Sequence, residues 1–397
     1  MKTRLLAAAL LAATCATAGA QNVNIYGVID GGIAYTNKSP TSTGTGSLLG
    51  FQSNGESPSI FGLKGSEDLG GGMKANMDLE GHFLSGTGVG NQWGGLFGRQ
   101  ANVGLSGGFG NVTIGNQYSP AVLAFAATDP RGLKESFSGL MNWAFSQTPV
   151  QGGTSTGLVS PPVAASTGTP ASPGVPGYVY NNNSVIDVFL KNTISYSVQM
   201  PMGWMSKTDG LNLAASYSFG GVAGSTTAGR VIALGVSYSS PLILSLAYQS
   251  ENGSSSTASG TSNTKVSVGA GYVLGAATVK ANYLDNKGKN AGTGAEITHY
   301  KIFGAGVDFK ASDADTITLA YYDGKNSDGN DDTAKSLILS NDHALSKRTT
   351  IYALVAEVKG GNGVTGGSSA YNGDNFAAPP PAGSNALAFQ LGVKHAF

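Results

Sequence analysis

The chain has one cysteine, Cys15, and four histidines, so thiol and soft-metal chemistry have little to work with. A single thiol closes no disulfide within the chain, so nothing staples the fold. His82, His299, His343 and His395 do not pair at metal-ligand spacing, and no H-E-x-x-H occurs, so neither a metal centre nor a cofactor is expected. Charge is scarce too: Asp, Glu, Lys and Arg make up 12% of residues, about half the usual ~25%. The 23 basic and 23 acidic residues cancel, and nothing suggests the basic patch that a nucleic-acid partner would call for. No run of 18 apolar residues is present, so no membrane-spanning helix is encoded.

Glycine, by contrast, is abundant: 60 of 397 residues, about twice the usual ~7%. Glycine-rich, charge-poor chains of ordinary hydrophobicity suit strands, tight turns and polar loops. The first twenty residues read differently. Lys2 and Arg4 precede an apolar run from Leu5 to Ala13, and Ala18-Gly19-Ala20 has the small residues of a cleavage site. Residues 1–20 are therefore expected to be a secretory signal peptide, with a mature chain of 21–397. The alternative, a lipoprotein acylated at Cys15, would want a small residue where Thr14 stands. Removing the segment takes away the only cysteine, so an exported chain must be held together by backbone pairing.

Period two dominates what remains. In Met73–Phe83 the odd positions are Met, Ala, Met, Leu, Gly and Phe, and the even ones Lys, Asn, Asp, Glu and His. Successive side chains of a strand point to opposite faces, so one face is apolar and the other charged. A soluble sandwich and an outer-membrane barrel both build such strands; loop sorting and chain ends separate them. About sixteen strand-like segments can be counted, beginning near Val23, Ser59, Met73, Phe97, Gly110, Lys191, Leu211, Arg230, Leu242, Lys265, Ala277, His299, Asp315, Lys335, Ile351 and Asn385. Short connections (66–72, 106–110, 273–276, 309–314, 345–350) alternate with long ones (36–56, 119–187, 250–263, 285–298, 323–333, 359–384). The last segment alternates Leu387, Phe389, Leu391, Val393, His395 and Phe397 against smaller or polar residues up to the final position. Exposed, that edge would aggregate; a closed barrel pairs it. Tyr35, Tyr118, Tyr196, Tyr248, Tyr272, Tyr283, Phe309 and Tyr352, near strand ends, fit interfacial girdles. The expectation is one all-β unit: a 16-stranded antiparallel transmembrane β-barrel.

Several segments resemble the Gram-negative general porins, above all their betaproteobacterial branch. They are Asn24–Asp30, Phe61-Gly62-Leu63-Lys64-Gly65-Ser66-Glu67-Asp68-Leu69-Gly70-Gly71-Gly72, Phe97-Gly98-Arg99-Gln100-Ala101, Ala344–Thr350 and Leu391–Phe397. The resemblance implies an outer-membrane, multi-pass homotrimer in contact with outer-membrane lipid and lipopolysaccharide. Its water-filled channels would pass ions and small hydrophilic solutes, with long extracellular loops and no nucleic acid bound. It also implies that the third long loop, 119–187, folds into the lumen as a constriction loop, where basic wall residues face acidic loop residues. Carried over position by position, the ring comprises Lys64, Lys74, Arg99 and Lys191 against Asp129 and Glu135. Two basic positions of the family are lost, at Ile60 and Asn116, which implies weaker anion preference. Arg99 shares parity with Ala101, Val103 and Leu105. Either a bulge intervenes there or the inner face is small and apolar, and a one-residue slip reverses the faces. Any of these charges can equally be simply solvated.

Other chemistry finds little support. His82 shares a strand face with Glu80 and Asp78, which suits a solvated lumen better than an acid–base pair. Gly361–Gly366 matches the dinucleotide fingerprint by letter but opens no helix. The Asp and Asn residues within 323–332 form no EF-hand. A barrel enzyme or an adhesin without an open pore remains the alternative; the first would need a nucleophile, base and orienter together.

Overall fold

The computed structural model describes residues 22–41, 44–90, 95–139, 188–201, 210–239, 241–252, 261–290, 292–327, 333–359 and 385–397. Both the signal segment and the low-complexity stretch 148–176 lie outside them. Among the described residues, seventeen strand segments follow one another: β1 (Asn22–Thr41), β2 (Gly44–Ser53), β3 (Ser59–Gly70), β4 (Met73–Phe83), β5 (Gln100–Gly107), β6 (Gly110–Tyr118), β7 (Phe189–Pro201), β8 (Gly210–Ser218), β9 (Val231–Ser239), β10 (Leu242–Glu251), β11 (Thr261–Leu274), β12 (Ala277–Asn290), β13 (Glu296–Lys310), β14 (Asp315–Asn326), β15 (Thr333–Ala344), β16 (Thr349–Lys359) and β17 (Asn385–Ala396). A helix, α1 (Pro120–Thr128), falls between β6 and β7.

From β3 to β17 each strand pairs antiparallel with the next, and β17 returns to β1 with Asp30 opposite Lys394 and Ala34 opposite Gln390. Phe397 closes the seam, its N–H donating to the Gly27 carbonyl at 3.0 Å while Gly27 donates back at 3.2 Å. On its other side β1 pairs with β2 along Gly31–Thr41 and with β3 along Asn22–Val28. Those two segments are therefore one wall position broken at 54–58, and the barrel has sixteen positions.

Inside a bilayer no water satisfies a free N–H or C=O, so a sheet can span only by closing on itself. Closure leaves side-chain alternation to divide lipid from lumen. Ile25, Ile29 and Ile33 on β1, Val103 and Leu105 on β5, Leu244 and Leu246 on β10, Leu337 and Leu339 on β15 and Leu391 and Val393 on β17 are all exposed on the outer face. Their neighbours Asp30, Asn102, Ser245, Ser340 and Gln390 point inward. The turns at one end are short. Leu274 pairs with Ala277, leaving a two-residue hairpin whose first residue, Gly275, has φ +61°, as such a turn requires.

The strand walls extend further than the sequence pattern suggested. The expected long loop 36–56 is instead a hairpin of β1 and β2, joined from Thr41 to Gly44. Its Gly- and Ser-rich sequence has weak strand preference, and pairing to β1 overrides that. The expected loops 285–298 and 323–333 likewise shorten, because β12, β13, β14 and β15 run on as charged, ladder-paired strands. Tyr35, Tyr196, Tyr248, Tyr272, Tyr283 and Phe309 take outward positions. Tyr118 and Tyr352 do not: they face inward among charged groups.

If the outer face meets lipid, Leu339→Arg costs roughly 2–4 kcal/mol of folding stability. Urea titration of folding into lipid vesicles measures it, and a change below half a kilocalorie would contradict the assignment of faces.

Candidate functional site

The third long connection leaves β6 at Ser119 and turns inward. Ser119 caps α1, its hydroxyl accepting from the Ala121 N–H at 3.2 Å, and Pro120 fills the first helical position, where no N–H is needed. The helix lies on the inner wall of β9, β10 and β11. Ala121, Val122, Ala124 and Phe125 share an apolar cluster with Val231, Ala233 and Ala247 of that wall and with Leu284 of β12 and Ile302 of β13. Two glycines make the seat. A Cβ on Gly235 would stand 2.1 Å from the Pro120 carbonyl oxygen, and one on Gly269 1.9 Å from Thr128 Oγ1. Any side chain at either position would push the helix off the wall. Thr128 Oγ1 also shares a 2.6 Å hydrogen bond with Ser245 Oγ.

Past the helix, Asp129 organises the turn. Its carboxylate accepts from the backbone N–H of Arg131 (3.1 Å), Leu133 (2.9 Å) and Gly139 (2.9 Å) and from the Tyr322 hydroxyl (3.1 Å). Complete burial raises its pKa from the ordinary aspartate value, against the pull of those four hydrogen bonds. Arg131 Nη1 donates to Ser340 Oγ at 2.8 Å on β15. Lys134 Nζ reaches Glu56 Oε1 at 2.6 Å and Asp342 Oδ1 at 2.8 Å, and Lys394 Nζ meets Glu56 Oε2 at 3.0 Å. Glu135 and Ser136 donate their N–H groups to the carbonyls of Glu56 (3.1 Å) and Gly55 (3.0 Å). Residues 119–139 thus cross the lumen along the wall, from β6 to the 54–58 segment.

That segment turns inward from the wall because Asp30 gathers it. The Asp30 carboxylate accepts from the N–H groups of Gly55, Glu56 and Ser57 at 2.8–3.2 Å and from the Tyr352 hydroxyl at 2.7 Å. Asn54 turns the chain with φ +59°.

The adjoining wall of β1, β3 and β4 carries a second constellation. Arg99 Nε donates to Glu80 Oε1 at 2.7 Å, with both side chains under a tenth exposed. Its guanidinium also donates to the Tyr118 hydroxyl and lies 4.7 Å from the Phe189 ring centroid. Tyr26 OH bridges Asp78 (2.8 Å) and Glu80 (2.9 Å). Lys64 Nζ sits 3.4 Å from Asp78 and 4.4 Å from the centre of the Tyr26 ring.

The six residues singled out from the sequence thus fall in different places. Lys64 stands on the inner face. Arg99 also turns inward, because β5 begins at Gln100 and frees it from strand parity; the inner face of β5 is Gln100, Asn102, Gly104 and Ser106. Lys74 shares that inner parity but lies beside the turn, six residues down β4 from Glu80, roughly 20 Å at ~3.3 Å per residue. Lys191 sits at an irregularity of β7 beside Asn192, whose φ is +51°. Asp129 is enclosed by its loop, while Glu135 lies on the loop near enough to Arg99 to act on it electrostatically. The ring is therefore not one facing pair of arcs. Sequence reading passed over Asp30, Glu56, Asp342 and Lys394. The signal for Asp30, Asp342 and Lys394 was a charge on the inner parity of a strand.

A closed antiparallel barrel with short turns at one end, an apolar outer belt and an inward loop defines an outer-membrane β-barrel channel. The sequence model of the Gram-negative porin family matches residues 7–363, and the chain belongs to that family. It is 29% identical to outer membrane porin protein 32 of Delftia acidovorans over the whole of both chains. Over 144 residues, 33% of this chain and 37% of the other, it is 40% identical to an outer membrane porin protein of Bordetella pertussis. Among solved structures, the anion-selective porin from Comamonas acidovorans superposes with a TM-score of 0.73 at 25% identity, covering 95% of this chain and all of that one. OmpT of Vibrio cholerae in its trimer form shares the fold at 12% identity, with a TM-score of 0.58 over 96% of this chain and 100% of the other. The chain is an outer-membrane channel for passive diffusion of ions and small hydrophilic solutes.

Arg99→Ala leaves Glu80 buried beside Tyr26 without its cation, at a cost of roughly 3–5 kcal/mol. A paired Arg99→Met, Glu80→Gln variant recovers most of that in urea titration; a single variant as stable as the parent would contradict the pairing.

Proposed function

We propose that this porin is a weakly selective channel in which residues 119–139 form the constriction and the wall charges cancel locally. The supporting observation is the pairing of six lumenal cations. Lys64, Arg99, Lys134, Lys265, Lys280 and Lys394 each have a carboxylate within 4.0 Å: Asp78, Glu80, Glu56, Glu251, Asp308 and Glu56 respectively. A cation beside its counter-charge projects little net field across an aqueous pore. Ile60 stands on the inner face opposite Val28 and His82, so it contributes an apolar side chain at a wall position. Of the six candidate ring residues, Lys64, Arg99 and Glu135 act at the constriction. Lys191 acts at its margin, Lys74 acts at the turn end of the lumen, and Asp129 acts by holding the loop.

The working unit we infer is a homotrimer, in keeping with the trimer form of OmpT. Outer-membrane lipid covers the apolar belt. Lys301, Lys325 and Lys359, at outward positions toward the loop ends of their strands, are within reach of lipopolysaccharide phosphates. Passive diffusion, not catalysis, is its activity: the lumenal carboxylates spend their hydrogen bonds on holding the loop and the wall.

In a planar bilayer with unequal KCl on the two sides, the reversal potential is expected near zero, and high voltage is expected to close the channel in three equal steps. Strong anion selectivity would overturn the local-cancellation reading. Single-step closure would overturn the trimer.

A further inference from the structure

Beneath the start of α1 the inner wall of β3–β8 encloses a recess of about 790 Å³ that opens to the lumen. Its chemistry differs from the rest of the pore. Among the described residues, Lys64 and Asp78 are the only charged ones lining it, and they stand 3.4 Å apart. Neutral hydrogen-bonding side chains supply the rest of the wall. Ser66 Oγ donates to Asn76 Oδ1 at 3.1 Å, and Asn76 Nδ2 donates to Ser106 Oγ at 2.8 Å, linking three neighbouring strands. Asn111 Nδ2 donates to Thr113 Oγ1 at 3.1 Å. Each of these amides keeps a second N–H and a second oxygen lone pair. Leu123, 55% exposed on the lumenal side of α1, overhangs the recess with Pro120.

We propose that this recess is a weak binding site for neutral polyhydroxylated solutes of sugar size. The inference rests on the channel reading and assigns that channel a preferred solute class. A polyol hydroxyl both donates and accepts, as do the wall amides and hydroxyls, so water-facing hydrogen bonds exchange one for one. The C–H face of a sugar ring suits the Leu123 overhang. An ion gains nothing comparable, because the lining cation is already paired and the ion's own hydration would be lost. Weakness is part of the function, since a permeating solute must leave as readily as it enters.

The test is current recording through single channels with maltose, with sodium glutamate, and with a polyethylene glycol of matching size. Maltose is expected to lower conductance saturably and to add excess current noise. The polymer should lower it only in proportion to bulk conductivity, and glutamate should add no noise. Asn76→Ala, and independently Asn111→Ala, should raise the half-saturating maltose concentration roughly fivefold, the loss of about one neutral contact, with sugar-free conductance unchanged. Equal, non-saturating responses to maltose and polymer overturn the site and leave the channel intact. Noise from glutamate instead of maltose overturns the neutral class. If the folded protein carries no current, the channel reading fails. Calorimetry of the purified protein with maltose then decides the recess alone: saturable heat supports it and flat heat rejects it.

Discussion

Backbone hydrogen bonding in a medium without water is the constraint on which everything else here depends. It forces the sheet to close, and closure at β1–β17 is completed by reciprocal bonds between Gly27 and Phe397. Once closed, the wall has two environments set only by parity. The outer one takes Ile, Leu, Val, Phe and Tyr; the inner one is free to be polar, charged or glycine. Low overall charge and ordinary hydrophobicity follow, because half of every spanning strand faces lipid.

The lumen then has its own problem. The inner faces of β9, β12 and β13 carry Val231, Ala233, Leu284 and Ile302, which water would solvate poorly. Residues 119–139 cover them. Gly235 and Gly269 allow the close approach, Asp129 ties the turn, and Lys134 with Glu56 and Asp342 anchors the far end. These attachments come from distant parts of the chain and from both sides of the wall break at 54–58. Loop and break therefore hold one another in place. Cations used as anchors are no longer available as free pore charges, and the weak field proposed for this pore rests on that pairing.

Much of this was legible in the sequence. Period two in Met73–Phe83 and in the last strand gives the faces directly, and the alternation of short and long connections gives the barrel. What escaped was whatever depended on tertiary partners. The Gly- and Ser-rich β2 has no strand signature without β1 beside it. Arg99 has outward parity with Val103 and still turns inward, because the strand starts one residue later. Tyr352 looks like a girdle residue and is instead the hydroxyl donor to Asp30, 322 positions away. Lys74 stands six residues along β4 from Glu80, since a matching motif fixes a residue's strand but not its depth or its partner.

The most direct measurement uses the fact that Cys15, ahead of β1, is the chain's only cysteine. Asn102→Cys and Val103→Cys place single thiols on adjacent residues of β5, one inward and one outward by register. Single-channel current is followed while a charged, water-soluble methanethiosulfonate is added, with the unsubstituted chain as reference. The account predicts a stepwise fall in current for Asn102→Cys and none for Val103→Cys. A response at Val103→Cys with Asn102→Cys silent would mean that the assigned faces, and with them the lumen described above, are inverted.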